Sequence, residues 1–160
     1  MDFYKNQHKY YCGIDLHARK MYVCILNNKG KVLVHQNIKT DPELFFEIIF
    51  PYIDDVAVGV ECVFCWYWLA DLCAAHKITF VLGHALYMKA IHGGKTKNDK
   101  IDSYKIALLL KGGNFPTTYT YPAMARHPGL VTTPNVSLKT LFGTGCPYPE
   151  YQYTIQFARL

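Results

Sequence analysis

The tetrapeptide Asn27-Asn-Lys-Gly30 does most to restrict what this chain can fold into. It stands between two runs rich in branched residues, 21–26 (MYVCIL) and 31–38. Asn and Gly tolerate the backbone of a tight reversal, so the two runs become antiparallel neighbours. Residues 10–16 (YYCGIDL) form a third strand-like run just upstream. Beyond residue 39 the pattern changes. Thr40-Asp41-Pro42-Glu43 supplies a cap (Thr40 or Asp41) and a first-turn proline for a helix reaching about Phe50. A short apolar strand, 56–60, ends at Glu61; a helix over about 65–75 and a strand over 78–82 follow. A short helix over 84–91 and a longer one over 99–111, with Asn98 as its cap, complete the series. The predicted order is β-β-β-α-β-α-β-α. A hairpin followed by β-α crossovers gives an α/β fold: a mixed sheet with flanking helices. The ribonuclease-H-like fold has this order, as do other α/β folds.

The 160 residues amount to about one domain, and 51% hydrophobic with 15% aromatic residues excludes a wholly disordered chain. The densest apolar run, 63–70, is far short of the roughly 18 residues a membrane helix needs. The polar start, residues 1–9, does not read as a signal peptide. The six cysteines are scattered, which reads as reduced thiols in a cytosolic protein.

The net charge of +5 is unevenly placed. Residues 1–83 carry −1, whereas residues 84–113 hold Lys89, Lys95, Lys97, Lys100, Lys105 and Lys111 against Asp99 and Asp102, a net +4. Such a stretch attracts phosphates, although a run of charge is most often plain solvated surface. Six of the eight prolines fall after residue 113, where no helical or alternating pattern persists. The expected division is a domain over 1–113 and a proline-rich, partly irregular tail over 114–160.

Four carboxylates stand out. Asp15 lies inside an apolar strand, where a charge is costly unless paired or bound to a cation. It shares a strand face with Gly13, opposite Cys12, Ile14 and Leu16. Glu61 closes the fourth strand, and Asp99 and Asp102, three apart in the first turn of a helix, point the same way. Four converging carboxylates stay ionised together only with divalent cations between them. Mg²⁺ or Mn²⁺ suits hard oxygen donors, and a pair of such ions supports phosphoryl transfer. The plainer alternative makes Asp15 a turn residue, Glu61 a helix cap, and Asp99 and Asp102 first-turn acids favoured by the helix dipole.

Two blocks carry a resemblance: 13–30 (GIDLHARKMYVCILNNKG) and 60–113 (VECVFCWYWLADLCAAHKITFVLGHALYMKAIHGGKTKNDKIDSYKIALLLKGG). They resemble the DEDD transposases of bacterial insertion sequences, a family that includes the Piv-like DNA invertases, over roughly residues 10–122. The resemblance implies a ribonuclease-H-like (RuvC-like) domain whose metal-binding, catalytic carboxylates are Asp15, Glu61, Asp99 and Asp102. His17, Lys95 and Lys97 fall where the family is usually His and basic. Lys89, Lys95, Lys97 and Lys100 are then expected against a nucleic-acid backbone. It further implies Mg²⁺ (or Mn²⁺), DNA as partner, an element-encoded guide RNA in many members, homo-oligomers, and a bacterial cytoplasmic, nucleoid-associated location. The implied activity is metal-dependent DNA strand cleavage and exchange in site-specific transposition.

The chain departs from the family after residue 123, where charged, Arg-rich helices are expected and a proline-rich stretch stands instead. The family's second domain carries a serine nucleophile; here Ser103 lies within the first-domain helix and Ser137 has no matching surroundings. The expectation is a truncated or frame-shifted transposase, inactive alone in full strand exchange. The alternatives are a stand-alone metal-dependent DNA nuclease and a nucleic-acid-binding or inhibitory remnant.

Two other patterns read as packing. Cys62, Cys65, Cys73 and His76 have zinc-like spacing, but on a helix Cys62 and Cys73 stand about 16 Å apart, too far for one ion. Trp66, Tyr67 and Trp68 would point about 100° apart on a helix, so they do not make one stacking platform for bases, and at least one belongs to the core.

Overall fold

A computed structural model of the chain describes residues 2–61, 65–92 and 99–118. The turn at Asn27 is built as its sequence demands. Gly30 sits at φ +83 and donates its amide to the Asn27 carbonyl, while the Asn27 side-chain oxygen accepts from the amides of Lys29 and Lys31. This turn joins β3 (Lys20–Asn27) to β4 (Val32–Lys39), and β2 (Tyr10–Leu16) pairs antiparallel with β3 on its other side. β5 (Val56–Glu61) then adds parallel to β2, and β6 (Thr79–Gly83) parallel to β5. The five-stranded order β4-β3-β2-β5-β6 is a mixed sheet with flanking helices, the α/β arrangement expected from the sequence.

The helices follow their caps. Asp41 caps α1 (Pro42–Ile49), its carboxylate accepting from the amides of Glu43 and Leu44, and Thr40 donates its hydroxyl to the His17 carbonyl. A 3₁₀ segment, Phe50–Asp55, carries the chain from α1 into β5. α2 (Tyr67–Ala75) begins two residues later than its sequence suggested. α3 (Ala85–His92) and α4 (Asp99–Lys111) complete the set; Asn98, the expected cap of α4, lies outside the described residues.

One face of the sheet holds the main core. Cys12, Ile14 and Leu16 of β2 point into it with Val58 and Val60, under Phe45, Ile49, Trp68 and Leu69 of α1 and α2. The other face receives α4: Tyr11 and Ala57 pack with Ile106, Leu110 and Phe115. Both tryptophans of the Trp66-Tyr67-Trp68 run are core residues, at 4% exposure each. Trp66 is the N-cap of α2, and its ring stacks on that of Tyr67 at 4.1 Å.

A second, two-stranded sheet was not visible in the sequence. β1 (Phe3–Tyr4) pairs antiparallel with β7 (Phe115–Pro116), burying Phe115 completely. The Thr118 amide donates to the Leu82 carbonyl on β6, so packing continues past residue 113. Near β1, the His8 ring bridges the Tyr4 hydroxyl and Asp55 Oδ1, the latter at 2.6 Å, and Asp55 also accepts from the Lys9 amide. The expected irregular tail, from 119 on, lies outside the described residues.

Candidate metal centre

Two glycines bring α4 against the sheet. Gly13 on β2 and Gly59 on β5 are register partners, and both face α4. A Cβ on Gly13 would overlap the Ser103 carbonyl oxygen and the Ala107 amide nitrogen; one on Gly59 would come within 2.5 Å of Leu110 Cδ1. Side chains alternate along a strand, so the residues two further on share that face. They are Asp15 and Glu61, each one position past Ile14 and Val60, the last residues that β2 and β5 pair with each other. Both stand at the end of the sheet where α4 begins, and the first turn of α4 carries Asp99 and Asp102.

Asp15, His17 and Asp99 each offer a donor atom within 4.8 Å of the others. His17 Nε2 lies 3.3 Å from Asp15 Oδ2 and 3.9 Å from Asp99 Oδ2. His17 leads out of β2 into the hairpin, with its amide held by the Lys20 carbonyl. That hairpin also delivers Lys20, whose ammonium donates to Asp99 Oδ2 at 3.0 Å. Lys105 pairs with Asp102 at 3.7 Å.

Charge is unequally compensated across the group. Burial pushes the Asp15 carboxyl above the usual carboxylate range. His17 draws it back, and the nearby charges of Asp99 and Asp102 push it further up. Asp99 is held below that range, chiefly by its hydrogen bond from Lys20. The 3.3 and 3.9 Å spacings from the imidazole to the two carboxylates lie within the roughly 4.2 Å that two bonds of about 2.1 Å to a single ion can span. A divalent cation there would also offset the repulsion that raises Asp15. The donor set therefore fits Mg²⁺ or Mn²⁺, the imidazole suiting Mn²⁺ better.

The structure brings together Asp15 and Asp99 directly. Asp102 contributes its charge to the same field, and Glu61 takes the neighbouring strand position on the same face. Among the expected phosphate contacts, Lys100 is exposed in the first turn of α4, and Lys89 is on α3. Lys95 and Lys97 lie outside the described residues. His17 enters the sequence reading only as a position where the resembled family usually has His, and Lys20 does not enter it. An Asp-x-His spacing puts both side chains on one strand face, which is a legible signal for His17. For Lys20 no local pattern exists, because its partner is 79 residues away.

The cysteine pattern is packing. Cys65 and Cys73 are buried in the core with Leu69, and burial pushes the Cys73 thiol up to about 12. His76 stacks on Phe46 at 4.2 Å; Cys62 lies outside the described residues. Ser103 is fully buried, its hydroxyl donating to the Lys100 carbonyl at 3.0 Å.

The model of the DEDD transposases of the IS110 type, described simply as transposase, matches residues 12–124. The chain belongs to that transposase family. No curated protein matches it. Among solved structures, this transposase domain is similar to Thermus thermophilus RuvC. One structure of that protein, in complex with a Holliday junction substrate, is 17% identical. It covers 65% of this chain and 92% of that one, with a TM-score of 0.44. A second is 15% identical over 68% of this chain and 99% of that one, at 0.47. Among the described residues, no helix is long and apolar enough to cross a membrane.

Proposed function

We propose that this domain is the metal-dependent catalytic domain of a DNA transposase, with Asp15, His17 and Asp99 as the core of its cation site. The observation that carries this reading is the meeting of three donor atoms within 4.8 Å from segments more than 80 residues apart. Asp102 and Glu61 complete the acidic set, each from an element that ends or begins beside Asp15.

A bound Mg²⁺ or Mn²⁺ would supply Lewis-acid stabilisation of charge at a DNA phosphodiester. The chain's own residues do the rest. Asp15 and Asp99 hold the cation between a strand end and a helix start, and the two glycines fix how far apart those supports lie. His17 adds an imidazole nitrogen 3.3 Å from Asp15 Oδ2. Lys100 lies in the same first turn as Asp99, and Lys89, Lys95 and Lys97 flank it in sequence; their charge draws the nucleic-acid backbone toward the carboxylates. DNA is the substrate this reading assigns; a guide RNA and a homo-oligomer belong to it as family expectations. Within it, a serine nucleophile comes from outside residues 1–113, so these carboxylates form part of a composite site.

Titrating Mn²⁺ into the purified chain by calorimetry, with a D99N/D102N double variant alongside, tests the reading. Saturable binding by the wild type, lost in the variant, is the expected result. Equal heats from both would overturn it. Mg²⁺-dependent nicking of DNA lost on Asp15→Asn would go further and mark the domain as a nuclease in its own right.

A further inference from the structure

The oxygen of Asp99 that faces His17 is Oδ2, and the same Oδ2 accepts the Lys20 ammonium at 3.0 Å. One carboxylate oxygen thus serves both the candidate cation group and a lysine. We propose that Lys20 is a displaceable stand-in for the divalent cation: its ammonium holds Asp99 while no cation is bound, and cation binding releases it to grip a DNA phosphate. This deepens the reading above and rests on it.

Three observations support the exchange. First, two cations sharing one oxygen repel each other, so the ammonium and a divalent ion exclude one another at Oδ2. Second, Lys20 is free to leave. It opens β3 at the sheet's end, its side chain is 56% exposed, and its long stem reaches solvent without disturbing the core. Third, the ammonium satisfies only part of the site. It reaches Asp99 Oδ2, while Asp15 Oδ2 has only the His17 ring nitrogen beside it at 3.3 Å among the ion pairs of the described residues. A single charge on one oxygen serves one carboxylate, whereas a divalent ion between the two serves both. The released ammonium would stand at the mouth of the site beside Lys39, its register partner on β4, and Arg19. That is where a phosphate drawn toward the cation would pass.

The consequence is a coupling of opposite signs. Removing the Lys20 charge should tighten cation binding and weaken the cation-dependent part of DNA binding. Calorimetry of Mn²⁺ binding would compare the wild type with Lys20→Met, Lys20→Gln, Lys39→Met and Asp15→Asn. Exposed ion pairs of this kind set the expected gain at about two- to fivefold tighter Mn²⁺ binding for both Lys20 variants. Lys39→Met removes the same charge one strand away and should change affinity by less than half as much. Binding of a fluorescein-labelled DNA duplex would then be followed against salt. With Mg²⁺ present, the salt slope of Lys20→Met should be smaller than the wild-type slope by about one; without Mg²⁺ the two slopes should coincide.

Lys20 variants that bind Mn²⁺ like the wild type, or no more tightly than Lys39→Met, would overturn the exchange while leaving the metal site standing. A slope difference that persists without Mg²⁺ would do the same, making Lys20 an ordinary phosphate contact. If the wild type binds no Mn²⁺, or Asp15→Asn binds it equally well, the metal reading itself fails and the exchange goes with it.

Discussion

Gly13 lies flush against the backbone of Ala107, so close that a single methyl group on Gly13 would overlap the Ala107 amide nitrogen. Neither side of that contact is a flexible side chain. The helix that carries Asp99 and Asp102 is thus seated on the strand that carries Asp15 by two main chains in direct touch, and the spacing of the carboxylates follows from that seat.

Gly13→Ala should therefore act at a distance. Overpacking of this kind costs about 1–3 kcal/mol, and the upper end is expected because backbone must move. Urea unfolding would show the loss, and Mn²⁺ calorimetry on the folded fraction should show weakened binding although no donor was altered. Gly59→Ala meets the buried Leu110 side chain, Cδ1 at 2.5 Å and Cγ at 3.0 Å, rather than backbone, and should cost less than Gly13→Ala, about 1 kcal/mol.

Asp15→Asn should make the protein more stable while removing its cation site. The raised carboxyl of Asp15 means that its ionised form is disfavoured in the folded state. Stability falls as pH rises from the unfolded carboxylate range through the folded one, and the penalty persists at neutral pH. An amide removes it, with an expected gain of about 1 kcal/mol, the usual scale for relieving a functional site. Thermal unfolding at pH 7 without divalent ions, where the wild type should melt lower, checks this.

The acid limb should depend on Asp55. His8, together with the Lys9 amide, holds the Asp55 carboxyl below its ordinary range. Its contribution is present above the unfolded carboxylate range and is lost as pH falls through the lower folded value. Asp55→Asn should flatten the stability profile below about pH 4 and leave Mn²⁺ binding intact, since Asp55 precedes β5 at the end of the strand away from Glu61. Melting curves taken between pH 5 and pH 2 would show the difference.

His17→Ala should narrow the preference between metals. An imidazole donor suits Mn²⁺ more than Mg²⁺, so Mn²⁺ affinity should fall by about tenfold or more and Mg²⁺ affinity by less. Competition between the two ions in calorimetry measures the ratio directly.

Much of this architecture is legible in local sequence. The Asn27–Gly30 turn, the Asp41-Pro42 cap and the alternating run at 10–16 each answer to a rule acting within a few residues, and each element lies close to where those rules put it. Asp15 betrays itself because a carboxylate in an apolar strand needs a reason. What escaped depends on long-range contact. Phe3-Tyr4 and Phe115-Pro116 are too short to read as strands and exist only by pairing across 110 residues. Lys20 looks like any hairpin lysine until α4 brings Asp99 beside it. The start of α2 differs by two residues because Cys65 and Trp66 continue the apolar pattern, with Trp66 standing as the N-cap of the helix.

In both β2 and β5 an acid follows a glycine by two positions, and those two tripeptides, Gly13-Ile-Asp15 and Gly59-Val-Glu61, lie side by side in register. The arrangement works as a ruler: the bare position sets the height of the layer above, and the acid marks how far along its rim the chemistry stands. Lengthening either strand segment by one residue would turn its carboxylate to the apolar side of the sheet. The architecture thus tolerates drift in most of its surface but almost none in the count of residues between a glycine and its acid.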